Sequence, residues 1–267
     1  MKLALSSCAV AALLASATAF AADAPAAAEP APAPEHTFTA NVGVFSQYIF
    51  RGVSQTKEDP SLQGGFDYAH SSGLYIGTWA SNISWLRDSY TDGTDALGYK
   101  SSSLEWDMYG GYKNTIGDTG LGYDVGLLYY YYPGRKGGTP TANTLEAYGA
   151  LSWKWFTAKY SYGLTDEVFQ YTNADGSWYL DLAAAYPIGE TGVTAGVHWG
   201  RQHFEGSANS VYSYNDWRAS LAYDMGKLGE KLAGTEAGVM YTKHTQNNDT
   251  AVFGSANQFT GYIKRTF

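Results

Sequence analysis

From about residue 37 onward, apolar and polar side chains alternate with a period of two, in short runs divided by turn-rich segments. The clearest stretch is Gln63 to Ile83. Phe66 and Tyr68 alternate with Asp67 and Ala69 before the turn Ser71-Ser72-Gly73; Leu74, Ile76 and Thr78 alternate with Tyr75, Gly77 and Trp79 after it. A period of two puts successive side chains on opposite faces of a strand, so the pair predicts an antiparallel hairpin. Twelve runs of this kind follow one another. They are Thr37–Phe50, the two arms of the hairpin, Ser103–Tyr112, Gly120–Tyr132, Thr144–Ser152, Phe156–Leu164, Ser177–Tyr186, Gly192–Arg201, Asn215–Met225, Thr235–His244 and Gln258–Phe267. Most have the length of about nine to eleven residues that a tilted strand needs to cross a bilayer. Counted from a periplasmic start, the odd connections (51–62, 84–102, 133–143, 165–176, 202–214 and 245–257) are long. The even ones (71–73, 113–119, 153–155, 187–191 and 226–234) are mostly shorter. An even strand count with loops long on one side and short on the other predicts an all-β, up-and-down transmembrane antiparallel β-barrel of about twelve strands.

Charge follows parity. One face of the runs carries Asp67, Glu105, Asp107, Asp124, Glu146, Lys159, Asp181, His198, Arg218, Asp224, Glu236 and Lys264. The other face is almost free of charge, as in Leu104, Trp106 and Met108 or Val193, Ala195, Val197 and Trp199. A charge on the lipid face of a barrel costs roughly 2–4 kcal/mol at the midplane for Arg or Lys, which predicts this segregation. A soluble barrel with its apolar face inward gives the same alternation, so parity alone leaves both arrangements open.

Composition and the chain ends choose between them. Aromatic residues make up 16%, with 23 Tyr, 11 Phe and 8 Trp, whereas charged residues make up only 16%, against about 25% in an average soluble domain. Lys2, the apolar run Leu3–Leu14 and Ala19-Phe20-Ala21 read as a secretory signal cut after Ala21. Residues 22–36 are an Ala/Pro-rich solvated linker, and the barrel occupies 37–267. Cys8 leaves with the signal, so neither a disulfide framework nor a thiol nucleophile is expected. The net charge of −8 becomes one unit more negative when Lys2 is lost, which disfavours nucleic acid as a partner. The expected location is the outer membrane of a Gram-negative bacterium. The expected partners are outer-membrane lipid, small hydrophilic solutes or ions, the barrel assembly machinery during biogenesis, and a further copy of the chain if it oligomerises.

Two blocks carry a family resemblance. Arg51-Gly52-Val53-Ser54-Gln55-Thr56 and Gln63-Gly64-Gly65-Phe66-Asp67-Tyr68, supported by Trp79–Ile83 and Glu105–Tyr112, resemble the TorF-type porin family, known also as a conserved bacterial family of unknown function. The resemblance implies an outer-membrane barrel taken to be a channel, with no substrate to carry over. The closing strand ends in Phe267, similar to the assembly signal of outer-membrane barrels, although Arg265 departs from it.

Candidate chemistry lies on the charged face. Rings of charged side chains set selectivity in pores, and the excess of carboxylates there favours cations. Arg51 either projects into the pore mouth or pairs with Asp67, the pairing being the simpler reading. The 84–102 and 202–214 loops are candidate gates. Trp79, Trp106 and Trp217 are expected to point outward and form interfacial girdles. No HExxH, G-x-S-x-G or P-loop occurs, and five scattered histidines give no metal spacing, so no enzyme, cofactor or metal is expected. His198, Ser220 and Asp181 share a face and would make a hydrolytic site only if Ser220 reached His198. The other class of function is a non-conducting structural or adhesive barrel whose paired charges fill the lumen.

Overall fold

A computed structural model of the chain describes residues 34–90, 98–136, 140–207, 209–246 and 254–267. The expected signal and most of the linker lie outside the described residues. Twelve strands form one closed barrel: β1 (His36–Phe45), β2 (Ser61–His70), β3 (Leu74–Asn82), β4 (Leu104–Thr115), β5 (Leu121–Tyr131), β6 (Thr144–Trp153), β7 (Phe156–Gly163), β8 (Trp178–Pro187), β9 (Val193–His203), β10 (Tyr214–Asp224), β11 (Thr235–His244) and β12 (Asn257–Thr266). Every strand pairs antiparallel with its sequence neighbours. β12 closes on β1 with Ile263 opposite Val44 and Thr266 opposite Asn41. Closure leaves no edge strand with unpaired backbone groups, the condition for a sheet to stand in lipid.

Parity resolves in favour of the membrane. Phe38 (74% exposed), Phe66, Ile76, Val125, Leu127, Val197, Val239 and Phe259 point out from the wall and are exposed. Glu105, Asp107, Asp124, Glu146, Lys159, His198 and Asp216 point in and are buried. In a soluble barrel the two sets would change places. Glycines make room for the inward aromatics. The Tyr109 ring lies against Gly77 and the Tyr179 hydroxyl against Gly200, so a Cβ at either glycine would collide with it.

The largest departure from the sequence pattern is at β1. Alternation runs on to Phe50, yet the strand ends at Phe45. Ile49–Phe50 then pairs with Val53–Ser54 as a small hairpin, with Arg51 (φ +45°) and Gly52 (φ +84°) at its tip. The turn requires left-handed backbone at both positions, which a membrane strand cannot supply. The 46–60 segment lies inside the barrel. Its side chains touch inward-facing residues of β3, β4, β5, β6, β8, β9 and β10, which only a position in the lumen allows. Trp79 also departs from expectation. It is 5% exposed and faces inward, where its ring packs 5.3 Å from that of Tyr48. Trp106 and Trp217 face outward as expected.

The loop end of the lumen is therefore a packed core of Tyr48, Trp79, Ile83, Leu86, Tyr99, Tyr130 and Tyr132. Beside it lies a second cluster of Val53, Val168, Ala174, Phe204 and Tyr214. Leu86 in the 83–103 connection and Phe204 in the 204–213 connection are buried here. Both expected gate loops thus contribute to the closure, and the 46–60 segment adds contacts to seven of the strands.

Candidate functional site

The site is built around the hairpin tip. The Arg51 guanidinium donates to Glu146 Oε2 at 2.7 Å, to Gln202 Oε1 at 2.9 Å and to the Tyr130 hydroxyl at 3.4 Å. Its Cζ lies 4.5 Å from the Tyr179 ring centroid, 4.8 Å from Phe50 and 5.7 Å from Phe169. The two charged side chains are 7% and 3% exposed, so this is a buried ion pair with stacked rings on the cation. Beside it, Gly52 packs on Asp216 so closely that a Cβ would strike that side chain. Tyr48 donates from its hydroxyl to Glu105 Oε1 at 2.6 Å, and Tyr132 donates to the other oxygen at 2.8 Å.

The remaining charges form local networks. Asp67 accepts from Tyr109 at 2.6 Å, not from Arg51, which corrects the expected Arg51–Asp67 pair. The hairpin turns its tip away from β2 toward the far wall, where Glu146 stands. Asp124 accepts from Tyr75 at 2.6 Å, and the Tyr75 and Tyr148 hydroxyls are joined. Lys159 Nζ lies 4.1 Å from the Tyr148 ring centroid. His198 is clasped between Asp181 (Nδ1, 2.9 Å) and Asp216 (Nε2, 2.8 Å), with Tyr179 donating to Asp216 at 3.0 Å. Both ring nitrogens of His198 are thereby engaged, and neither is left for Ser220, which sits opposite Gly196 instead. Glu236 pairs with Lys264 at 3.1 Å. Arg218 lies half-buried on the inward face, opposite His198 and Thr242. Asp107 is buried, and its Oδ1 has no hydrogen-bond partner among the described residues.

Asp224 has the inward parity but stands exposed at the turn end, where it accepts from the Gly226 N–H at 2.8 Å. It caps the helical turn Met225–Leu228 rather than lining the lumen. Asp224→Ala is expected to speed exchange of the Gly226 amide about fivefold, the loss of one cap, without altering ion selectivity. Amide exchange and reversal potentials measure the two halves of this expectation.

Several residues of the site lay outside the sequence reading. Asp216 has the same parity as Arg218, so the alternation that found Arg218 also reaches it. Gln202 fell in an expected loop, but β9 runs on to His203. Tyr48, Tyr130 and Tyr179 carried no charge to mark them. Among the described residues, no group of three or more His, Cys, Asp or Glu is placed to hold a metal ion.

Comparison with known proteins bears on fold and family. No curated protein matches the chain. Among solved structures it is similar to the KdgM porin, at 7% identity and a TM-score of 0.50, over 86% of this chain and 99% of that one. It is also similar to OccAB3 of Acinetobacter baumannii, at 13% identity and a TM-score of 0.44, over 88% of this chain and 65% of that one. The structural likeness to the KdgM porin supports a porin-like barrel as the fold, and the TorF-type name receives no support. The family model described as a bacterial protein of unknown function (Gcw_chp) matches residues 27–267, nearly the whole of the barrel and its approach, so the chain belongs to the Gcw_chp family.

Proposed function

We propose that the chain is an outer-membrane channel for passive passage of small hydrophilic solutes or ions, constricted by the 46–60 segment and biased toward cations. The observation that carries this reading is the division of the lumen. At the loop end the inward residues are sealed. Toward the turn end Asp67, Tyr75, Lys113, Glu236 and Lys264 are only half-buried, as befits side chains facing a wetted interior. Over the inward face as a whole, the sealed end included, carboxylates outnumber cations, and their field lowers the barrier for positive ions. Delivery by a signal cut after Ala21 and insertion by the assembly machinery belong to the same reading.

A second reading is the non-conducting barrel that acts through its loops. The burial of Arg51, Glu105, Asp107 and Glu146 favours it. Planar-bilayer recording of the refolded mature protein under a salt gradient separates the two. Stable steps with a cation-biased reversal potential, reduced in bias by Asp124→Asn, are expected. A folded barrel that passes no current under any voltage leaves the structural reading standing.

A further inference from the structure

The cage around Arg51 is made mostly by the barrel and not by the hairpin. Glu146 comes from β6, Tyr130 from β5, Tyr179 from β8 and Gln202 from β9. Phe169 descends from the 164–177 connection, where its N–H donates to Thr144 Oγ1 at 2.9 Å. Only Phe50 and the guanidinium itself arrive with the 46–60 segment. The cage offers one carboxylate, one amide oxygen, one hydroxyl and stacked rings. That set matches a planar cation which donates several hydrogen bonds and presents two faces to aromatic rings. Arg51 holds its place at a cost. Its φ of +45° is a conformation that side chains other than Gly, Asn and Asp seldom adopt. Glycine would make the turn without strain, so what arginine adds at this position is its head group.

A second consideration links the cage to opening. If the hairpin left the lumen, Glu146 would stay behind as a buried carboxylate without its cation, which is strongly unfavourable. A solute cation that filled the vacated cage would remove that cost and so draw the equilibrium toward the open arrangement.

We propose that the Glu146 cage is a binding site for the guanidinium or amine head of a small organic cation, and that Arg51 is a tethered occupant which such a solute displaces. As a statement about what is transported, this rests on the channel reading above; as a statement about binding, it is testable on a barrel that passes no current.

The probe is methylguanidinium, and the first protein is the refolded full barrel with Arg51→Gly, a residue suited to the local φ. Methylguanidinium at millimolar concentration is expected to raise its Tm along a saturating curve, whereas equal potassium chloride does not. Adding Glu146→Gln is expected to weaken that saturation roughly 10- to 100-fold, the loss of one hydrogen-bonded charge pair. A rise no larger than that given by potassium, or one indifferent to Glu146→Gln, overturns the proposal. Amide exchange of residues 49–55 in the unaltered protein gives an answer that needs no variant to fold. Methylguanidinium should accelerate exchange there, as the hairpin yields its cage, and unchanged protection would also overturn the proposal. Binding without conductance would retire the channel and keep the site; conductance without binding would do the reverse.

Discussion

A barrel carrying Glu146→Ala should conduct in larger and longer-lived steps than the unaltered protein. The 46–60 segment is held across the lumen by contacts to seven strands, but its only buried ion pair among the described residues is Arg51–Glu146. Removing the carboxylate leaves a guanidinium that is 7% exposed without its counter-charge. Breaking such a pair from one side costs about 3–5 kcal/mol. The hairpin can escape that cost by withdrawing into water, because its tip is a two-residue turn and not part of the wall. A bias of this size changes the ratio of open to closed states by roughly 100- to 5,000-fold. Recording in planar bilayers, with circular dichroism to show the β-barrel intact, provides the check. Arg51→Gly in the same background should add little, because the two changes remove one interaction. Unaltered conductance from a folded Glu146→Ala barrel would mean that Tyr48, Gly52 and the aromatic core hold the plug without the pair.

The barrel was readable because its cause is local. Each strand must present one face to lipid, and the cost of a misplaced charge is imposed residue by residue, so parity survives in the sequence. Twelve runs became twelve strands, with ends shifted by a few positions. The plug was not readable, because its cause is distant. Tyr48 and Phe50 keep the parity of Phe38, Val42 and Val44 past Ser46 and Ile49, and that parity does not say that the chain has turned inward. The one local signal was Arg51-Gly52, a pair with glycine at the second turn position between short apolar segments. The partner of Arg51 stands 95 residues away on β6, where Glu146 looks like any other inward carboxylate. Asp67 is nearer in sequence and of the right sign, and proximity along the chain favours it. Trp79 departs from its expected place as well. A tryptophan in a barrel strand suggests an interfacial girdle, yet Trp79 shares the parity of Tyr75 and Gly77, opposite the outward Leu74 and Ile76, and inside it meets Tyr48.

Val239→Arg should destabilise the barrel in lipid by about 2–4 kcal/mol, while Ser220→Arg, at nearly the same depth on the opposite face, should stay within about 1 kcal/mol. Val239 is 59% exposed and points outward from the middle of β11, with Leu221 and Gly261 as its neighbours across the sheet. An arginine there must either enter hydrocarbon or bend its stem toward a headgroup region several residues away, and it loses hydration in both cases. Ser220 points inward from β10, opposite Met240 and Gly196, and is half-buried. An arginine there keeps its head among water and the lumen carboxylates. Equilibrium unfolding of both variants in phospholipid vesicles measures the difference. A soluble barrel would give the opposite order, since its outer wall would meet water and its interior would have no room for the added charge. The sign of the difference, more than its size, therefore tests the inside-out assignment on which the lumen, the plug and the cage all depend.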